Sequence, residues 1–396
     1  DVFLLNWPRL GIDQMVVRVT SIDTGTLGAA EWRIEAMEDV FGLDSAVLAP
    51  PPPIIDEPTL EPLPPALVLA VEIPYWELAR TLSRAELDYL TDTDAAVGAL
   101  AAAGGAGQLN WQLATGASAG DIEVIAGEDY APLLTLDAAL SATEADAVAV
   151  PVTAISQPER LAVGSYAYLV DAAGEIREAV AVLAFDAGVA SIDLARGVLD
   201  TTPQVHFSGT RLIGVGEWLA AEGVERAPGE SVFVAAIPRT STDQGDAELA
   251  ANGQPLLLIG RQALPYPPGR IRLNGQIEPA VVAGDLAMTW AHRDRIQQTA
   301  YLVQQDEGDI GPEPGVTYTV RIRDRNDVLV HTTSSIAGTD FVWDAATAAA
   351  DAGALGDRVT VEISAERDGL ESWQPQARVM DRAGYGLRWG QYWGGI

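Results

Sequence analysis

The stretch RGVLDTTPQVHFSGTRL, residues 196 to 212, gathers an aspartate (Asp200), a histidine (His206), a serine (Ser208) and three threonines (Thr201, Thr202, Thr210) in one short window. These are the residue types of a nucleophile, a general base and the carboxylate that orients the base. Triads are assembled in space, so order along the chain neither makes one nor excludes one. Two local features argue for structure over catalysis. Pro203 forces the residue before it into an extended conformation, and Ser208 lacks the Gly-x-Ser-x-Gly turn that exposes a hydrolase serine. The stretch therefore reads as strand, loop and strand, with His206 packing or bonding to backbone between Val205 and Phe207. No catalytic residue is assigned there.

The remaining candidates are weaker. Paired carboxylates occur at Glu38-Asp39, Glu128-Asp129 and Asp306-Glu307-Asp309, and a glycosidase needs only two carboxylates about 5 to 10 Å apart. With 56 acidic residues in 396 such pairs arise by chance, so each is expected to be solvated surface. The run DEGDIG, residues 306 to 311, lacks the twelve-residue spacing and terminal Glu of an EF-hand. There is no cysteine, and His206, His292 and His331 stand far apart without HxH or HExxH spacing, so a zinc site would have to be built mainly from carboxylates. The expectation is no metal, no cofactor and no enzyme activity.

Charge and length narrow the classes further. All 24 basic residues are arginine, and the net charge of -32 argues against nucleic acid or an anionic membrane surface as partner. The imbalance is concentrated in residues 1 to 264, where 38 acids face 12 arginines, against 18 and 12 from residue 265 onward. A chain of 396 residues exceeds what one hydrophobic core fills, so two to four domains are expected. No apolar run reaches the roughly 18 residues of a membrane span. The chain opens at Asp1 within a strand-like pattern, which is read as the C-terminal part of a longer polypeptide.

The elements that must position these residues are mostly strands. Residues 1–47 alternate as VFLLNW, MVVRVTSID and AEWRIEAMEDVFG, with Val17, Val19 and Ser21 expected on one face and Val16, Arg18 and Thr20 on the other. Residues 48–65 carry eight prolines in eighteen positions, a stiff polyproline II arm that serves as a linker or a strap. Residues 66–150 form a mixed α/β segment. Its YWELARTLSRAELDYLTDTDAAVGALAAAG tract has helical spacing at Trp76, Ala79 and Leu82, with Ser83 and Glu86 placed as a capping box. Residues 151–262 read as a small β-domain that includes the hairpin YAYLVDAAGEIREAVAVLAF, with Gly174 at its turn. Residues 263–396 open on LPYPPGRIRLNG and run through about seven strands, the sandwich pattern. The fold class is thus mainly β, with small barrel or sandwich domains and a minor helical segment.

In that last segment the Pro-rich opener, the strand LAMTWAHRDR with Trp290, the Tyr318 strand, and the ending VEISAERDGLESW with Asp368-Gly369 and Ser372 resemble a fibronectin type III domain. The resemblance implies that Trp290 packs between two sheets. Taken together, PYPPGRIRLNG with LAMTWAHRDR, EIREAVAV, RGVLDTTPQVHFSGTRL, the terminus GYGLRWGQYWGGI and the opening VVRVTSIDTGTLGAAEWRIEAMEDVFG resemble the C-terminal half of tailed-bacteriophage tail-tip proteins, the central hub or host-specificity proteins of long-tailed phages and related gene transfer agents. Residues 66 to 150 match least. The resemblance implies a structural virion protein at the distal tail tip or baseplate, homotrimeric about the tail axis. Its implied partners are other tail and baseplate proteins and a host-surface receptor or glycan, and the RG…T…H…G run is implied to be structure. The rival readings are a cell-wall glycan hydrolase with β accessory domains and a bacterial surface adhesin. Large aromatics at Trp373, Trp389, Tyr392 and Trp393 are the expected interaction residues, because aromatic anchors are enriched at interfaces.

Overall fold

The computed structural model describes residues 2–25, 28, 32–39, 60–245, 252–279, 281–352 and 358–382. The chain falls into two compact units, Asp1–Pro58 and Thr59–Ile396. The first contains an antiparallel sheet of β1 (Val2–Trp7), β2 (Ile12–Asp23) and β3 (Arg33–Glu38), in that order. Val17 faces Phe3 and Glu38, and Val19 faces Ala36, as alternation predicts. A register shift between Val19 and Ser21 then breaks the pattern, so Ser21 does not simply continue that face. Among the described residues of this unit only Val17 and Asp39 are buried.

The second unit begins with a strap. Leu60 donates its amide to Thr242 Oγ1 at 3.0 Å and accepts from Thr240 Oγ1 at 2.8 Å. Pro64 passes so close to Gly104 that a Cβ there would lie 1.9 Å from its carbonyl oxygen. Residues 48–59 of the proline-rich segment lie outside the described residues. Next come β4 (Leu67–Glu72), α1 (Tyr75–Thr81), α2 (Arg84–Tyr89), β5 (Val97–Ala102), β6 (Gln108–Ser118) and β7 (Asp121–Glu128). The Ser83–Glu86 capping box forms at the start of α2. The apolar tract beyond it, VGALAA, is strand and not helix. β5 is buried on both faces, with Leu100 and Ala102 packed to one side and Val97, Ala99 and Ala101 to the other. Small side chains let the two layers close on it: a Cβ on Gly98 would meet the Ala220 carbonyl oxygen at 2.7 Å. Tertiary burial thus overrides the helical propensity of alanine.

A closed six-stranded antiparallel barrel follows, built from β8 (Leu133–Leu136), β9 (Asp146–Ser156), β10 (Tyr166–Val170), β11 (Ile176–Asp186), β12 (Ser191–Ala195) and β13 (Arg211–Gly214). The expected hairpin is β10–β11, with Gly174 at φ +90°. β10 reads as a continuous apolar run because both its faces are covered. Ala167 and Leu169 fill the barrel, while Tyr166, Tyr168 and Val170 belong to a second core shared with Leu67, Leu69 and Val71 of β4. The boundary expected at 150/151 falls inside β9, whose barrel partners β8 and β12 lie on either side of it. The barrel is an insertion, because after it the chain returns to the first module with β14 (Ala220–Ala221), β15 (Ser231–Thr240) and β16 (Gln254–Leu257). These complete the sheets β14-β5-β4 and β16-β15-β6-β7.

The last module holds β17 (Gly269–Leu273), β18 (Val281–Val282), β19 (Leu286–Ala291), β20 (Thr317–Arg323), β21 (Leu329–Ile336), β22 (Asp340–Trp343), α3 (Ala345–Ala352), β23 (Arg358–Arg367), β24 (Leu370–Glu371) and β25 (Gln376–Arg382). One sheet is β17-β19-β22 and the other β18-β25-β23-β20-β21. Leaving aside the short β18 and β24, the first, second and fifth strands face the third, fourth, sixth and seventh, the arrangement of a fibronectin type III-like sandwich. Trp290 lies between the sheets, 4% exposed and edge-on to Tyr318 at 5.4 Å. The molecule is mainly β, made of small barrel and sandwich modules with a minor helical segment. Among the described residues no helix is long and apolar enough to cross a membrane.

Candidate functional site: a buried polar joint

The residues of the RGVLDTTPQVHFSGTRL stretch are brought together with partners from all three modules of the second unit. Glu178 lies in the barrel strand β11 between Arg177 and Ala179 and is fully buried. Its carboxylate accepts from Arg196 Nε at 2.8 Å and Nη2 at 2.7 Å, and from the amides of Gly197 at 2.9 Å and Gln204 at 3.0 Å. His206 Nε2 stands 2.8 Å from the same carboxylate. Burial raises the pKa of Glu178, but the Arg196 charge and the hydrogen bonds of His206 and Arg196 more than reverse this, leaving it below the ordinary carboxylate range. An ionised carboxylate only accepts, so His206 Nε2 carries the proton of that hydrogen bond. Arg196 also donates to the carbonyls of Ser141 and Gln204 at 2.9 and 2.7 Å.

The same loop then reaches outward. Asp200 forms a two-pronged pair with Arg261, at 2.5 Å to Nε and 2.9 Å to Nη2. Arg261 lies with its guanidinium 4.0 Å from the centre of the Trp373 ring. Burial works against the charge of Arg261, and Asp200 more than restores it. Thr201 Oγ1 accepts from the Ala179 amide at 2.9 Å and donates to the Val198 carbonyl at 2.8 Å. The Thr202 amide donates to Gln374 Oε1 at 3.0 Å. Arg293, pushed down to about 10 by burial, donates to the carbonyls of Leu199 at 3.3 Å and Val303 at 3.1 Å. A second buried cluster joins the sandwich to the first module. Glu313 pairs with Arg295 at 2.9 Å and with Arg367, and Arg367 also reaches Asp92 at 3.0 Å.

This arrangement does not suit catalysis. Ser208 is exposed on its turn, two residues from a buried His206 whose Nε2 is committed to Glu178. The space beside Pro203 is about 10 Å³, too small for a substrate. A cavity of about 200 Å³ lies beside Trp373 and Arg261, but its Glu72 carboxylate is already held by the amides of Ile259 at 2.8 Å and Arg261 at 2.7 Å. His206 differs from expectation in one respect: it bonds a side chain, while Val205 and Phe207 are turned outward, 57% and 73% exposed. At least one acid of each cluster finds an arginine or backbone partner. Asp39 pairs with Arg18 at 2.9 Å, Asp129 with Arg160 at 2.9 Å and Asp306 with Arg272 at 2.6 Å, while Asp309 accepts from the His292 amide at 2.7 Å. Among the described residues no three Asp, Glu or His side chains converge in a way that could hold a metal ion.

Of the expected interaction residues, Trp373 is half-buried under Arg261; Trp389, Tyr392 and Trp393 lie outside the described residues. Sequence reading missed Glu178, Arg261 and Glu313. The available signal was an acid set in the apolar alternation of a barrel strand, as in EAVAV.

No protein-family model matches the chain, and no curated protein matches it. Among solved structures, the FN1–FN3 domains of chicken CNTN1 align over 82% of this chain and 68% of that one, with 9% identity and a TM-score of 0.19. A superposition that loose carries no argument about this chain.

Proposed function

We propose that the chain is a structural virion protein of the distal tail tip or baseplate of a tailed phage or gene transfer agent, homotrimeric about the tail axis, that serves assembly and host-surface recognition. The reading rests on the tail-tip resemblance of its segments, and one observation carries it further. The N-terminal sheet presents large apolar side chains to solvent, with Phe3 54%, Leu4 68%, Trp7 51%, Ile34 55% and Met37 60% exposed. Neighbours on β1 point to opposite faces, so Phe3 and Leu4 demand cover on both sides. Three strands with bare apolar faces are poorly stable alone, and knitting into neighbouring chains removes that cost. The buried joint supports the same reading, because its polar groups serve to lock modules together.

The test is the mass of the purified chain in solution and its copy number in density of an intact tail. Three copies around the axis are expected; an isolated monomer within an assembled tail overturns the trimer. Release of fragments from purified peptidoglycan would instead favour the hydrolase.

A further inference from the structure

Helices α1 and α2 stand away from the β14-β5-β4 sheet and leave a groove of about 640 Å³. Leu78, Leu82, Leu90 and Val224 supply apolar wall. Glu77, Glu86, Asp94 and Glu225 line it as well, and no arginine does. Two of these acids are engaged locally: Glu86 caps α2 through the Ser83 amide at 2.7 Å, and Asp94 accepts from the Thr91 amide at 2.6 Å. Glu77 is different. It is only 6% exposed, and its Oε1 has no hydrogen-bond partner. Burial raises its pKa, which the Tyr166 hydroxyl and the charge of Arg80 offset only in part. Arg80 itself lies over the Trp76 ring at 5.5 Å. A buried carboxylate oxygen without a donor is costly to the isolated protein.

Part of the apolar wall is open to solvent. Tyr89 and Val224 both belong to the lining, Tyr89 on the rim being 84% exposed and Val224 46%. We propose that this groove docks a basic amphipathic segment of a partner protein, whose apolar side chains seat between the helices and the sheet while its arginines or lysines meet the acidic lining of Glu86, Asp94 and Glu225. The charge complementarity is specific to sign, since every ionisable group lining the groove is an acid. An amphipathic helix laid in such a groove presents anchors one turn apart to successive wall residues, and the exposed rim gives contact for more than a small cation would cover. The groove would accept such a segment whatever assembly carries the chain.

The experiment is a titration of the purified full chain, at physiological ionic strength, with three labelled synthetic peptides read by fluorescence anisotropy. One is a Lys/Leu amphipathic helix, one a Lys/Ser peptide of equal charge, and one a Glu/Leu helix. The Lys/Leu peptide is expected to bind at least tenfold tighter than either control. Val224→Glu should weaken it at least tenfold even though the added carboxylate attracts lysine. Val189→Glu, on a barrel residue 71% exposed, should leave binding equal or tighter. Glu225→Gln, at an exposed acid of the lining, should weaken it about fivefold. Thermal unfolding confirms that each variant folds, and Tyr89→Glu replaces Val224→Glu if that variant does not. Equal binding of the Lys/Leu and Lys/Ser peptides, or indifference to both groove variants, overturns the proposal. Saturation by dodecyltrimethylammonium with no peptide binding also overturns it, assigning the groove to a small cationic amphiphile.

Discussion

Two buried glutamates, Glu178 at the joint and Glu77 at the groove, have the same side chain in opposite circumstances. Glu178 is surrounded by an arginine, a histidine and two amides, and its pKa falls below the ordinary range. Glu77 is similarly hidden, yet one oxygen lacks a partner and its pKa is raised by desolvation. Burial alone therefore does not decide whether an acid stabilises a fold; the number and charge of the donors that replace water do. The saturated site fixes the loop of residues 196–206 inside the barrel, from which Asp200 and Thr202 reach the neighbouring modules, and the unsaturated one keeps an uncompensated cost of burial.

The largest effect that would test this difference is Glu178→Gln. It leaves Arg196 charged and unpaired in the interior, and removing one partner of such a pair costs about 3–5 kcal/mol. Urea unfolding should show it, and a loss below about 1 kcal/mol would mean that water or a local shift compensates. A smaller loss is expected for Gly197→Ala at the same joint. Gly197 sits at φ +61°, and a Cβ there would meet Pro203 Cδ at 2.5 Å. Left-handed backbone costs a non-glycine residue about 1–2 kcal/mol before the clash is counted, and the amide that reaches Glu178 would be displaced with it.

Acid titration sharpens the contrast through opposite signs. A lowered folded pKa makes the contribution of Glu178 present above its ordinary value of 4.5, and lost as pH falls through the lower folded value. A raised one makes the contribution of Glu77 fully present below 4.5 and lost as pH rises through the higher folded value. Stability measured by denaturant at successive pH values should therefore fall less as pH rises above 4.5 in Glu77→Gln than in the parent, and keep its fall below that value. A Glu77→Gln profile that parallels the parent throughout would break the contrast. The smallest effect is Glu77→Gln at neutral pH, where stability should stay within about 0.5 kcal/mol of the parent or rise. A loss as large as that of Glu178→Gln would mean that Glu77 is structural after all.

Much of the fold was legible in the residues because it depends on local pattern. The β10–β11 hairpin followed from two apolar runs around Gly174, the α2 cap from Ser83 and Glu86, and the sandwich from its spaced strands and Trp290. Less of the joint was legible. The place of residues 196–212 between two barrel strands was legible, but the partners Glu178, Arg261 and Gln374 are 18 to 172 residues distant in the chain from the residues they bind. Spacing carries no information about contacts of that range. VGALAA was misread because alanine favours helix locally, and only two covering layers make it a strand.

The sequence by itself determined the strand-rich class, the turns, the excess of carboxylate and the absence of cysteine chemistry, since each is a property of neighbouring residues or of composition. Only the tertiary structure decided which acids are paired, that the barrel is inserted between two halves of another module, and that one oxygen of Glu77 is left without a partner. Those outcomes depend on which groups lose water together, and chain-distant partners settle that only once the layers have packed.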